Sequence, residues 1–80
     1  SPVHVLIIPK IHIPTLNDLN EEHKNLMGEL VFTAKLLAED LVIDEAGYRL
    51  NFNCNQAGGQ TVYHIHLHLM GGREFGWPPG

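Results

Sequence analysis

Thr61 to Met70 reads TVYHIHLHLM, with His64, His66 and His68 at every second position. The whole chain holds six histidines in 80 residues, so half of them crowd into this one segment. In an extended strand successive side chains point to opposite faces. The three imidazoles therefore share one face, and Ile65, Leu67 and Leu69 share the other. Same-face neighbours stand about 6.6 Å apart, twice the rise per residue. That is too far for direct ring-to-ring bonds without tilting, and close enough for all three rings to reach one phosphate-sized ligand. Three readings compete. The row can be a polar strand face with no task. It can be a zinc site, since neutral imidazoles ligate zinc and a catalytic site wants three protein ligands and an open position. Or one imidazole can attack phosphorus while another protonates the leaving group, both forms being available near neutral pH.

The preceding loop separates the last two. Asn53-Cys54-Asn55-Gln56-Ala57-Gly58-Gly59-Gln60-Thr61 offers amides, a hydroxyl and backbone N–H groups. Gly58-Gly59 lets main chain approach a ligand closely, and successive N–H groups in such a turn can form an anion-binding concavity. Taken alone, the pair is an ordinary turn between strands. Beside three histidines it reads as a phosphate cradle. Zinc has no use for that cradle, and Glu74, the nearest acid, lies beyond Gly71-Gly72, so neither a metal nor another cofactor is expected.

The elements that must hold this segment follow from pattern. Val3 to Pro9, VHVLIIP, predicts a strand buried along most of its length. Lys10 to Asn20 is a loop broken by Pro14 and Asn17-Asp18. Asn20 suits a helix N-cap, with Glu21 and Glu22 in the first turn where the dipole favours anions. The capping box is incomplete, because its third position is His23. Leu26, Leu30, Leu37 and Leu41, flanked by Met27, Val31, Ala34 and Ala38, form an apolar stripe on a helix from about Glu21 to about Asp40. Tyr48 to Asn53 predicts a half-buried strand, and Thr61 to Met70 another. Three strands and one long helix make an α+β domain around an antiparallel sheet.

Composition excludes several function classes. Five Lys and Arg against nine Asp and Glu leave a formal charge of −4, without the basic face a general nucleic-acid binder needs. No apolar run approaches the roughly 20 residues that span a bilayer, so no membrane role is expected. One cysteine excludes a disulfide framework. Hydrophobic residues at 44% and charged residues at 18% fit one small globular domain over residues 1–80. A core of this size leaves little margin without a partner, and the chain reads as a piece of something longer.

Gly58-Gly59-Gln60-Thr61-Val62-Tyr63-His64-Ile65-His66-Leu67-His68-Leu69-Met70-Gly71-Gly72-Arg73 resembles the signature of the histidine triad (HIT) superfamily. The ending Gly76-Trp77-Pro78-Pro79-Gly80 and the opening His4-Val5-Leu6-Ile7-Ile8-Pro9-Lys10-Ile11-His12-Ile13 resemble its Hint branch, the histidine triad nucleotide-binding proteins. The resemblance implies a HIT-like fold with a five-stranded antiparallel sheet, of which this chain carries three strands and the long helix. The family's N-terminal helix and strand hairpin, which build most of the base and ribose pocket, have no counterpart here. It implies homodimers with two sheets joined into one, and hydrolysis of purine nucleoside 5′-phosphoramidates (the AMP or GMP moiety bonded to an amine) without a metal. By that resemblance His66 is the nucleophile and forms a nucleotidyl-histidine, and His68 contacts the phosphate oxygens. His64 orients the site together with His12. Asn53, Gly59, Gln60 and Thr61 attend the phosphate and leaving group; Thr61 stands where serine is usual and keeps the hydroxyl. Trp77 reaches toward the partner subunit's site. A cytoplasmic location is expected, with a targeting segment before Ser1 left open.

Other residues read as bland. Cys54 is a small half-buried side chain, His23 a solvated surface group, and His4 a structural member of the first strand. Lys10 and Arg73 add local positive potential for an anionic substrate, or are simply solvated.

Overall fold

The computed structural model describes residues 2–76. The tail from Trp77 onward, expected at a partner's site, lies outside them. Strand β1 spans Val3–Ile7, helix α1 Lys24–Asp40, strand β2 Tyr48–Asn51 and strand β3 Leu67–Gly71. The sheet has the order β1-β3-β2, and β3 pairs antiparallel with both neighbours. The α+β arrangement expected from the sequence is the one observed.

Helix α1 covers one face of this sheet. Leu30, Ala34 and Ala38 are buried, and their four-residue spacing makes a narrow stripe. The two alanines let the helix axis approach β3, whose Leu67 and Leu69 are fully buried with Ile65. Leu26, Met27 and Leu37 pack at the margin of this core, whereas Val31 and Leu41 are exposed, so the stripe is narrower than expected. The helix closes with Ile43 N–H on Ala38 O and Val42 N–H on Glu39 O, a Schellman closure that puts Val42 at φ +57°.

Because only one face is covered, β1 is not buried along most of its length. Val3 and Val5 are half-buried and Ile7 buried, while His4 and Leu6 are exposed on the opposite face. At the helix entry, Glu21–His23 forms a 3₁₀ turn before α1 begins. Asn20 Oδ1 accepts the Glu22 N–H at 2.9 Å, and His23 Nδ1 accepts the Asn20 N–H at 3.0 Å. The imidazole thus completes the capping box expected to be open, and His23 is a half-buried cap instead of a solvated group.

The regular part of β3 begins at Leu67, not Thr61. The β1–β3 register pairs Ile7 with Leu67, so Pro9 would fall opposite Ile65. Proline has no N–H for the ladder, and pairing stops there. Ile65 N–H bonds Ile13 O at 2.8 Å instead, which keeps the segment extended and its inward and outward alternation intact. Ile65, Leu67 and Leu69 stay buried, and His64, His66 and His68 stay half-buried on the uncovered face.

Candidate active site

The uncovered face is assembled by register. Leu6 of β1 and Asn51 of β2 both stand opposite His68, and His4 and Arg49 both stand opposite Met70. His4 Nε2 lies 2.8 Å from His68 Nδ1, their ring centres 5.1 Å apart. His66 and His68 meet edge to face with centres 5.0 Å apart. Three imidazoles therefore form one contiguous cluster, His66–His68–His4. The 6.6 Å spacing of an ideal strand is closed by ring tilt.

Backbone carbonyls dictate which nitrogens stay available. His66 Nδ1–H donates to His64 O at 2.7 Å. A carbonyl can only accept, so the proton sits on Nδ1 and the lone pair of neutral His66 is on Nε2. His64 Nε2–H donates to Pro9 O at 3.0 Å, and His12 Nε2–H to Tyr63 O at 3.0 Å. His12 meets the His64 ring edge-on, with centres 5.1 Å apart and planes at 87°. The structure thus brings His12 to His64, at the far end from His68. Among the described residues no group of three or more His, Cys, Asp or Glu is arranged to hold a metal ion.

His68 is held below the usual imidazole range, first by burial and then by the like-charged forms of His66 and His4. Near neutral pH it is a neutral ring with one N–H. Where His4 donates to its Nδ1, that N–H is on Nε2.

The loop before the triad departs from the expected cradle. Gly59 N–H is spent on Gln56 O and Gln60 N–H on Asn55 O, each at 3.0 Å. Neither remains for an anion. The side chain of Gln60, expected at the phosphate, is buried and hydrogen-bonded within the fold. Its Nε2 donates to Pro14 O at 2.7 Å and Val62 O at 3.1 Å, and its Oε1 accepts from Asn55 N–H at 2.8 Å. The turn needs its glycines for close packing: a Cβ on Gly58 would run into the Cys54 backbone, and Gly59 adopts φ +85°. Asn53 Oδ1 accepts from Asn51 Nδ2, which leaves the Asn53 Nδ2 group beside Gly59. Thr61 is exposed at the loop's exit.

Two residues of this face escaped the sequence reading. Pattern alone makes His4 a structural member of the first strand and Asn51 part of a half-buried one. The only signal for either is its even or odd place on its strand, and that becomes informative once the register with β3 is known.

The face also has two unlike sides. Leu6, Ile8 and Val62, with His64 and His66, line a cleft of about 140 Å³. On the other side Arg49, Asn51, Met70, Arg73 and Phe75 line one of about 400 Å³.

A row of imidazoles on the open face of a helix-backed antiparallel sheet defines a class, and comparison with known proteins agrees. The chain belongs to the histidine triad family, the HIT domain model matching residues 1–75. It is 53% identical over 76 residues to the purine nucleoside phosphoramidase of Escherichia coli, covering 95% of this chain and 64% of that protein. It is 46% identical over 82 residues to the adenylylsulfatase HINT1 of Arabidopsis thaliana, covering 100% of this chain and 55% of that protein. The crystal structure of a HIT family hydrolase from Legionella pneumophila superposes with a TM-score of 0.98 at 55% identity, covering 100% of this chain and 71% of that one. The chain thus spans less than two thirds of the length of these two curated relatives, and its relatives are Hint-type proteins.

Proposed function

We propose that this chain carries the catalytic part of a hydrolase that cleaves purine nucleoside 5′-phosphoramidates through a nucleotidyl-histidine. The observation that carries the reading is the bond from His66 Nδ1–H to His64 O, which aims the lone pair at Nε2 and supports the ring as it becomes cationic. The relative named as a phosphoramidase, at 53% identity, supports the substrate class.

In the first step His66 Nε2 forms a bond to phosphorus and the P–N bond breaks. The amine leaves with that electron pair and takes up one proton. His68 lies against His66 and supplies an N–H to the phosphoryl oxygens; its protonated form is a stronger acid than an ordinary imidazolium and can give the amine its proton. His64 holds the nucleophile's ring through its carbonyl, and His12 packs against His64. Thr61 and the Nδ2 group of Asn53 attend the phosphate and leaving group, beside the Gly59 turn. In the second step water attacks phosphorus, the bond to His66 breaks, its electrons return to Nε2, and water's proton leaves with solvent. The sum is substrate plus water giving nucleoside monophosphate and amine. A purine nucleotide as ligand and a second copy as partner belong to this proposal.

The test is to incubate the intact protein with an adenosine phosphoramidate, quench, and map the adenylyl adduct by mass spectrometry. The adduct is expected on His66 and absent from His66→Ala, which should be inactive. Full turnover by that variant sinks the proposal, and AMP binding without product leaves a binding module in its place.

A further inference from the structure

An asparagine side chain carries an acceptor at one end of its amide and donors at the other, so the end that faces an anion decides between attraction and repulsion. Asn53 is such a residue on the loop that enters the triad. The neighbouring donors cannot stand in for it. Gly59 N–H and Gln60 N–H are spent inside the turn, and the Gln60 side chain is bonded to Pro14 O, Val62 O and Asn55 N–H. On the phosphoramidate reading, the loop's hold on the phosphate therefore rests on the Nδ2 end of Asn53 and on the Thr61 hydroxyl.

Two contacts fix that end. A Cβ at Gly59 would come within 3.2 Å of Asn53 Nδ2, so the glycine leaves the room this end occupies. At the other end Asn51 Nδ2 donates to Asn53 Oδ1. Both residues are half-buried, and their two-residue spacing on extended chain puts both side chains on the triad's face. The register sets Asn51 directly opposite His68. Side chains of such a pair stand about 4.5–5.5 Å apart at Cβ. Asn51 thus links the strand that pairs with β3 to the loop amide that meets the phosphate. A donor at this position keeps Asn53 Oδ1 away from the anion and turns Nδ2 toward it. Joining a second sheet to an edge strand engages backbone N–H and C=O groups. The bond between Asn51 and Asn53 uses neither, so it is compatible with the homodimer that the family resemblance implies.

Resting on the phosphoramidate reading above, we propose that Asn51 is a positioning residue, whose Nδ2 group sets the amide of Asn53 so that Asn53 Nδ2 faces the phosphate and leaving group.

A double-mutant cycle on the intact protein, followed with an adenosine 5′-phosphoramidate, tests this. Asn51→Leu keeps the side chain's size and removes its donor. It should lower kcat/KM by about five- to tenfold, the loss expected for one orienting hydrogen bond. Asn53→Ala should lower it by at least as much. In the Asn53→Ala background, adding Asn51→Leu should change kcat/KM by less than about twofold, because the group it positions is gone. A substitution that acted through folding, or through the joining of two copies, would cost the same in both backgrounds. Either single variant within about twofold of wild type, or losses that multiply in the double variant, overturns the positioning role and leaves the phosphoramidate reading standing. Absence of turnover by the wild type itself overturns that reading and the positioning role with it.

Discussion

His4 Nε2 and His68 Nδ1 are 2.8 Å apart across 64 positions of sequence, joining the edge strand to the central one. The pair makes the third triad member dependent on a residue outside the triad. One ring must donate and the other accept, so the tautomer of His68 is tied to that of His4.

Replacing His4 tests that dependence. His4→Gln should lower kcat by about tenfold while changing stability by less than about 1 kcal/mol, because the side chain is exposed and its loss opens no cavity. It should also move the His68-dependent limb of the pH–rate profile upward, since a like-charged neighbour is removed. A pH–rate profile beside a denaturant melt checks both, and an unchanged profile would disconnect His4 from His68.

Folding stability should depend on His68 below neutrality. Its pKa is depressed in the folded state, so the unfolded chain binds the proton more readily. The stability is fully present above the unfolded value, about 6.5, and is lost as pH falls through the lower folded value. Urea midpoints at pH 7 and pH 5 should show a decline that His68→Asn reduces. An identical pH slope in that variant would assign the decline to other groups.

Gln60 separates a structural role from a ligand role. Gln60→Ala leaves Pro14 O, Val62 O and Asn55 N–H without their partner and should cost about 2–4 kcal/mol. Gln60→Glu should be no better, because a carboxylate would face two carbonyl oxygens. Thermal melts check the cost. A normal melt with a raised KM for nucleotide would return Gln60 to the phosphate.

Val42 is a β-branched residue at φ +57° and is 83% exposed at the end of α1. Its side chain contributes little packing, and the left-handed backbone costs it about 1 kcal/mol that glycine avoids. Val42→Gly should therefore raise stability by a few tenths to about 1 kcal/mol with activity unchanged. A loss of stability would show that Val42 packs more than its exposure implies.

Much of this site was readable in one dimension. The alternation of His64, His66 and His68 with Ile65, Leu67 and Leu69 depends only on the two-residue period of extended chain, and it survives where regular pairing stops at Leu67. The Leu30, Ala34 and Ala38 stripe is equally local, set by helical pitch. The glycine turn was visible too, although its N–H groups turned out to serve the turn itself.

Tertiary structure decided everything that depends on which distant segments meet. Pro9 opposite Ile65 ends the ladder, the register of β1 delivers His4 to His68, and that of β2 delivers Asn51 and Arg49 to the same face. Gln60 reaches Pro14 across 46 positions. Periodicity is a property of consecutive residues and is written in their order. Register is chosen by the whole sheet, by the pairing that buries the Leu67 and Leu69 face under α1, and no single segment encodes it.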